Sequence, residues 1–264
     1  MKHYIKNEIR RAIISTNAFV AFSITLGLLI IAFLEFIHFP TYGIKESKVL
    51  FDAVDIFIRI RSTTRASFLV LVAPLIAAII FSDSYLIEKE TGFSRFIYLR
   101  MSQKKYIWIK AIVNALVSGL VVGLASVIML IFLLCSYGIR VTNAFEVKGP
   151  FSSIFYSNRL GYAFFVIFIL SLFYMIFATL ALGISPWIKN RYLSLILPFF
   201  YYIICGTIFD ILPINRFFNL NATIIFNLNP VTNEQHIIIY SCLLLILGFS
   251  LFYFGVVRKS EKDL

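Results

Sequence analysis

Six stretches of the chain carry almost no charge, and each is about as long as the roughly 20 residues a helix needs to cross ~30 Å of hydrocarbon. They fall at about 18–37, 66–84, 106–137, 160–185, 192–211 and 236–257, and the second and fifth are the shortest once their charged flanks are excluded. The pattern predicts an all-α integral membrane protein, with six transmembrane helices in a single domain covering residues 1–264. Ahead of the first span, "KHYIKNEIRRAIIST" puts Tyr4, Ile5, Ile9, Ala12 and Ile13 on one helical face and Lys2, Lys6 and Arg10 elsewhere. That periodicity predicts an N-terminal helix lying in the membrane interface, its basic side toward anionic lipid headgroups.

The polar connector between the second and third spans is longer than a turn requires. In "IEKETGFSRFIYLRMSQKKYIWIK", residues 87–110, Thr91-Gly92 breaks the preceding helix, because glycine accepts backbone conformations outside the α region. "FSRFIYLR" then sets Phe93, Phe96 and Ile97 on one face of a two-turn helix, with Arg95 and Tyr98 pointing elsewhere. Ser102 stands where a cap for the third span belongs. A short amphipathic helix held between two spans, within a segment at 85–104, is suited to docking in a groove on another protein. Glu88 and Glu90 are expected to pair with that partner, since an anionic membrane surface would repel them.

Composition excludes a soluble fold: 60% of the residues are hydrophobic, 29 are Phe and only 14% are charged. The net charge of +11 is spread over every loop rather than gathered on one face, so nucleic acid is not the expected partner. The charges report topology instead. Of 24 Lys and Arg, 15 lie in residues 1–18, 83–110, 186–191 and 258–264, and nine lie in the three intervening loops, which places both termini in the cytoplasm under the positive-inside rule. The first apolar segment exceeds a signal-peptide core and is taken as retained. Cys135, Cys205 and Cys242 fall inside predicted spans and read as apolar packing rather than a disulfide framework.

Within the spans two patterns stand out. Ala111, Ala115, Gly119 and Gly123 recur every four residues, a spacing that lets helix backbones approach closely, either inside the chain or at a dimer seam. Phe168, Tyr174, Tyr201 and Tyr202 belong to an aromatic run that is read either as packed helix contacts or as the wall of an amphipathic cargo cavity. The last loop, 213–235, reads as short helical or re-entrant pieces. Asp52 and Asp55 form a lone D-x-x-D, read as a solvated loop face. No catalytic residue and no metal set is found: there is no Gly-Lys pair for a phosphate loop, no H-E-x-x-H, no G-x-S-x-G, and the three His lie in different regions. No cofactor is expected to bind the chain directly.

The run Glu88, Glu90, Thr91, Gly92, followed by Arg100, Ser102, Tyr106 and Lys110, resembles the cytoplasmic loop of the type-2 ABC transporter permeases. In that family E-x-E-x-G-T precedes a Ser-x-x-x-Tyr-x-x-x-Lys start of the next span; here Thr precedes Gly. The resemblance implies a permease half that pairs with a second, identical or homologous half, and with separate ABC ATPase subunits carrying ATP and Mg. Its coupling helix would dock through Glu88, Glu90, Phe93, Arg95, Phe96, Ile97 and Arg100. It implies export of an amphiphilic or apolar cargo, such as an antimicrobial peptide, a drug or a lipid-like molecule, across a bacterial plasma membrane. The chain would not be an enzyme by itself. An ATP-independent channel or secondary carrier is the alternative, and a membrane-embedded enzyme the third reading.

Overall fold

The computed structural model describes residues 2–38, 44–62, 68–140, 147, 150–211, 219–227 and 233–260, and all regular structure among them is helical. In chain order the helices are α1 (Lys2–Ile13), α2 (Thr16–His38), α3 (Ile44–Leu50), α4 (Ala53–Ser62), α5 (Phe68–Phe81), α6 (Ser84–Glu90), α7 (Phe93–Arg100), α8 (Gln103–Tyr137), α9 (Ser152–Ser157), α10 (Arg159–Ile184), α11 (Arg191–Ile211), α12 (Thr223–Asn227) and α13 (Glu234–Ser260). Five segments are long and apolar enough to cross a membrane: α2, α5 with α6, α8, α10 with the turn after it, and α13. The chain is a multi-pass membrane protein. The fifth predicted stretch, α11, is a shorter apolar helix over Arg191–Gly206. Much of the last loop, 212–218 and 228–232, lies outside the described residues, which leave α12 as its one described helix.

Burial ranks the helices. The apolar window of α10 is 72% buried, against 28% in α2 and in α13, so α10 is the axis of the bundle and the other two are its rims. α10 touches α8, α13, α5 and α11, while α2 packs on α8 and α5. Close approach is bought with glycine at two crossings. On α8, a Cβ at Gly119 would stand 2.7 Å from Met175 Cγ and one at Gly123 2.8 Å from Ser171 Oγ, so the small-residue stripe faces α10 inside the chain. Between α10 and α13 the contact is tighter and is backbone on backbone. A Cβ at Gly183 would lie 2.3 Å from the Gly248 carbonyl oxygen, and one at Gly248 3.0 Å from Leu180 N.

At the end of the bundle opposite α7, α4 is tucked into the core, with Ala53, Val54, Ile56 and Phe57 buried. Asp52 and Asp55 are fully buried as well, not a solvated face. They sit at the start of α4, where Asp55 N donates to Asp52 Oδ1 (2.6 Å), and Arg159 NH1 supplies the countercharge to Asp52 Oδ2 at 2.9 Å. The pair is therefore a helix start that one arginine, Arg159, reaches from across the fold. Arg61 at the far end of α4 is also buried; its NH1 donates to the Phe226 carbonyl at 2.5 Å, and burial pulls its pKa down to about 10. Of the cysteines, Cys205 is buried as expected, whereas Cys135 and Cys242 face outward, where a membrane supplies apolar surroundings without protein packing.

Candidate functional site

Every fourth residue at the start of α8 is polar: Tyr106, Lys110, Asn114 and Ser118, all fully buried. A spacing of four keeps them on one helix face, and that face is turned into the protein, because polar groups toward lipid would be left without partners. Lys110 occupies the centre of a charged cluster. Its Nζ donates to Glu88 Oε1 on α6 (2.6 Å) and to Glu8 Oε1 on α1. Arg11 NH1 donates to the same Glu88 oxygen at 2.7 Å, and the Tyr106 hydroxyl donates to Glu88 Oε2 at 2.7 Å. Two cations and two carboxylates leave no net charge, and the Phe81 ring lies over Lys110 Nζ with its centroid 4.8 Å away. Burial lowers the pKa of the Arg11 guanidinium, but Glu88 and then Glu8 outweigh it and hold the value above its ordinary range. The neighbouring Tyr4 hydroxyl is pushed up, by burial first and then by Glu8 and Glu88.

One rung further along α8, Asn114 Nδ2 donates to the Ala178 carbonyl of α10 at 2.8 Å, and Ser82 Oγ donates to the same oxygen at 3.1 Å. The polar face thus ties four helices together: α1 and α6 through Lys110, α10 through Asn114, and α8 itself. Around the cluster lies a small apolar shell including Tyr85, Ile97, Ile107 and Phe252, with Tyr98 edge-on to Tyr106 at 5.4 Å between ring centroids.

α7 grows from this platform. Gly92 adopts the left-handed conformation (φ 70°) as the break requires, and α7 runs for eight residues to Arg100. Ser102 takes the cap position of α8, but its side chain makes no capping bond. The predicted apolar face divides. Ile97 and Ser94 turn inward, whereas Phe93, Phe96 and Leu99 are 50%, 65% and 84% exposed, flanked by exposed Arg95 and Arg100. Of the residues expected to meet a partner, Phe93, Arg95, Phe96 and Arg100 are on the outside. Glu88 and Ile97 are not, because Lys110, Arg11 and Tyr106 already satisfy the Glu88 carboxylate and the apolar shell takes Ile97. Glu90 is exposed and already paired, with Arg191 Nε donating to its Oε2 at 2.8 Å across to the start of α11.

The N-terminal helix is amphipathic as expected, yet it does more than rest on a surface. Glu8 is four residues from both Tyr4 and Ala12, so it belongs to the apolar face, and that face packs on α8 and α2. A carboxylate at the centre of an apolar face was the available signal that a buried cation opposes it. Sequence reasoning missed Glu8, and named Lys110 only as a position of the family motif, without its pairing to Glu8 and Glu88.

The four aromatic residues proposed to wall a cavity do not surround one space. Phe168 points outward, while Tyr174 and Tyr202 are buried among Phe173 and Phe177, where among the described residues their hydroxyls have no hydrogen-bond partner. Tight packing on α10 leaves no room between them. Tyr201 lines a groove of about 900 Å³ on the face of α13, where its hydroxyl lies 3.0 Å from that of Tyr240. Among the described residues no group of His, Cys, Asp and Glu is arranged to hold a metal ion.

Burial orders two small substitutions. Tyr106→Phe strips a charge-assisted hydrogen bond from a buried carboxylate, a loss of about 1.5–3 kcal/mol, and thermal melting in detergent should fall accordingly. Arg191→Ala breaks an exposed, salt-screened pair and should melt with the parent.

Compared with known proteins, the chain matches no family model, no curated protein and no solved structure.

Proposed function

We infer that this chain is the membrane-spanning half of an ATP-driven exporter, of the type-2 ABC permease kind, crossing the membrane six times with α11 as the fifth crossing. The observation that carries this reading is the outer edge of α7. Three large apolar side chains, Phe93, Phe96 and Leu99, project from a helix too short to stand alone, between two cations. A two-turn helix is marginal in water, and the packing of Ile97 together with the Glu8–Lys110–Glu88 cluster next to it holds this one in place. An exposed apolar edge on a braced element is what a protein groove requires of its ligand helix.

On this reading α7 is the coupling helix and lies in the cytoplasm with both termini. A separate ATPase subunit, which carries ATP and Mg, receives Phe93, Phe96 and Leu99. Closure of that subunit on ATP pushes α7, and the ion cluster passes the motion to α1 and α8 as a rigid body. A second permease half completes the pathway, and the aromatic, low-charge interior suits an amphiphilic cargo.

The test is co-purification of a Walker A subunit from the same detergent extract. Phe96→Asp and Leu99→Asp should each lower recovery of that subunit more than tenfold, since each puts a charge where burial of a large apolar side chain would contribute about 1.5–3 kcal/mol. Both variants should still insert and melt like the parent, because neither side chain belongs to the core. Glu88→Lys is no test of docking: it places a third cation beside Lys110 and Arg11. If the wild type brings down no ATPase and both variants transport normally, an ATP-independent carrier is the better account.

A further inference from the structure

The lateral groove on α13 has a structure of its own. It runs from Tyr240 to Arg258, which at ~1.5 Å per residue is about 27 Å, close to the thickness of the hydrocarbon core. Its wall is apolar for nearly that whole length, and Leu243, Ile246, Leu247 and Phe254 along it are exposed on a helix apolar enough to cross a membrane, as side chains that face lipid are. The half near the α7 end is the better built. Gly255 lets α13 lie flush on the turn after α10: a Cβ there would meet Pro186 Cβ and Trp187 Nε1, each at 2.8 Å. The indole is held in place by its Nε1, which donates to the Leu251 carbonyl at 3.0 Å. Trp187 and Arg258 therefore end the groove together, at the depth where Trp and basic residues meet lipid headgroups.

Arg258 is exposed, and among the described residues no carboxylate lies within salt-bridge distance of it. An apolar trough that ends in a rigid indole and an exposed guanidinium has the shape and charge of one occupant. We propose that this half of the groove is a binding site for an anionic phospholipid of the α7-side leaflet, its acyl chains along Leu247, Leu251 and Phe254 and its phosphate on Arg258. A second copy of the chain fits less well. A two-fold pairing centred on this end would bring two Arg258 guanidiniums together, a like-charge contact that no acid among the described residues relieves. The inference needs only that the chain sits in a membrane; it does not depend on an ATPase partner.

Trp187 is a built-in reporter, since the chain has only one other tryptophan, Trp108. In the Trp108→Phe protein, reconstituted in phosphatidylcholine nanodiscs, Trp187 fluorescence is titrated with acyl-brominated phosphatidylglycerol or acyl-brominated phosphatidylcholine. The expected result is half-maximal quenching at a several-fold lower mole fraction of the phosphatidylglycerol. Arg258→Gln should make the two lipids equal, and Arg258→Lys should keep the preference, because Lys also binds phosphate. Equal quenching in the Trp108→Phe protein overturns the site, as does a preference that survives Arg258→Gln. Absence of quenching by either lipid also overturns it and means that protein, not lipid, fills the groove.

Discussion

Lys110→Met should be among the most damaging single substitutions in the protein. It leaves Glu8 and Glu88 facing each other in a site where neither is more than about 5% exposed, with only Arg11 as countercharge. Removing one member of a buried ion pair typically costs about 3–5 kcal/mol, because the surviving charge loses its partner without regaining water. The expected outcome is a large fall in melting temperature and in monodisperse yield, with α1 becoming accessible to protease. The companion variant separates charge from shape. With Glu8→Gln added, the remaining Arg11–Glu88 pair balances and the site again carries no net charge, and most of the lost stability should return. If Lys110→Met melts with the parent, the cluster does not hold α1 to the bundle.

The glycine crossing of α10 and α13 should be nearly as sensitive, and more so than the stripe on α8. At Gly183 the nearest atoms are the carbonyl and Cα of Gly248, so a methyl group forces two helix backbones apart. At Gly119 the nearest atoms are those of the Met175 side chain, which has other rotamers. Overpacking generally costs about 1–3 kcal/mol, and a clash with backbone belongs at or above the upper end. Gly183→Ala should therefore lower the melting temperature sharply, with Gly119→Ala close to neutral. The reverse order, read in the same detergent, would mean that α13 is not seated on α10 as described.

What the sequence made legible was whatever rests on period and length. Thr16–His38, Gln103–Tyr137 and Arg159–Ile184 match their expected spans to within a few residues, since hydrophobic length is set by the bilayer rather than by neighbouring helices. Gly92 was readable because a helix break there needs a left-handed residue. The misses came from long-range pairing. Glu88 is seven residues from the exposed Arg95 but is claimed by Glu8's partner Lys110, 22 residues away in sequence, and by Arg11, 77 away. Asp52 similarly depends on Arg159, 107 residues away. Local charge patterns do not carry such distances. The polar ladder of Tyr106, Lys110, Asn114 and Ser118 was visible at its spacing of four, and would have placed the buried face of α8 correctly. Gly183 and Gly248 each stand alone in an apolar run, and their meeting is a property of the packed helices.

The claim that α7 is the face through which an ATPase drives this membrane domain is tested most directly by photocrosslinking in the native membrane. A benzophenone amino acid is placed at Phe96, and control proteins carry it at Ile97, which is buried, and at Leu116, which is exposed midway along α8. The account predicts one strong adduct from Phe96, weaker or absent adducts from Ile97, none of the same mass from Leu116, and a Walker A motif in the peptides of the captured protein. Adducts from Phe96 to lipid alone, or to a protein without a nucleotide-binding motif, would contradict it.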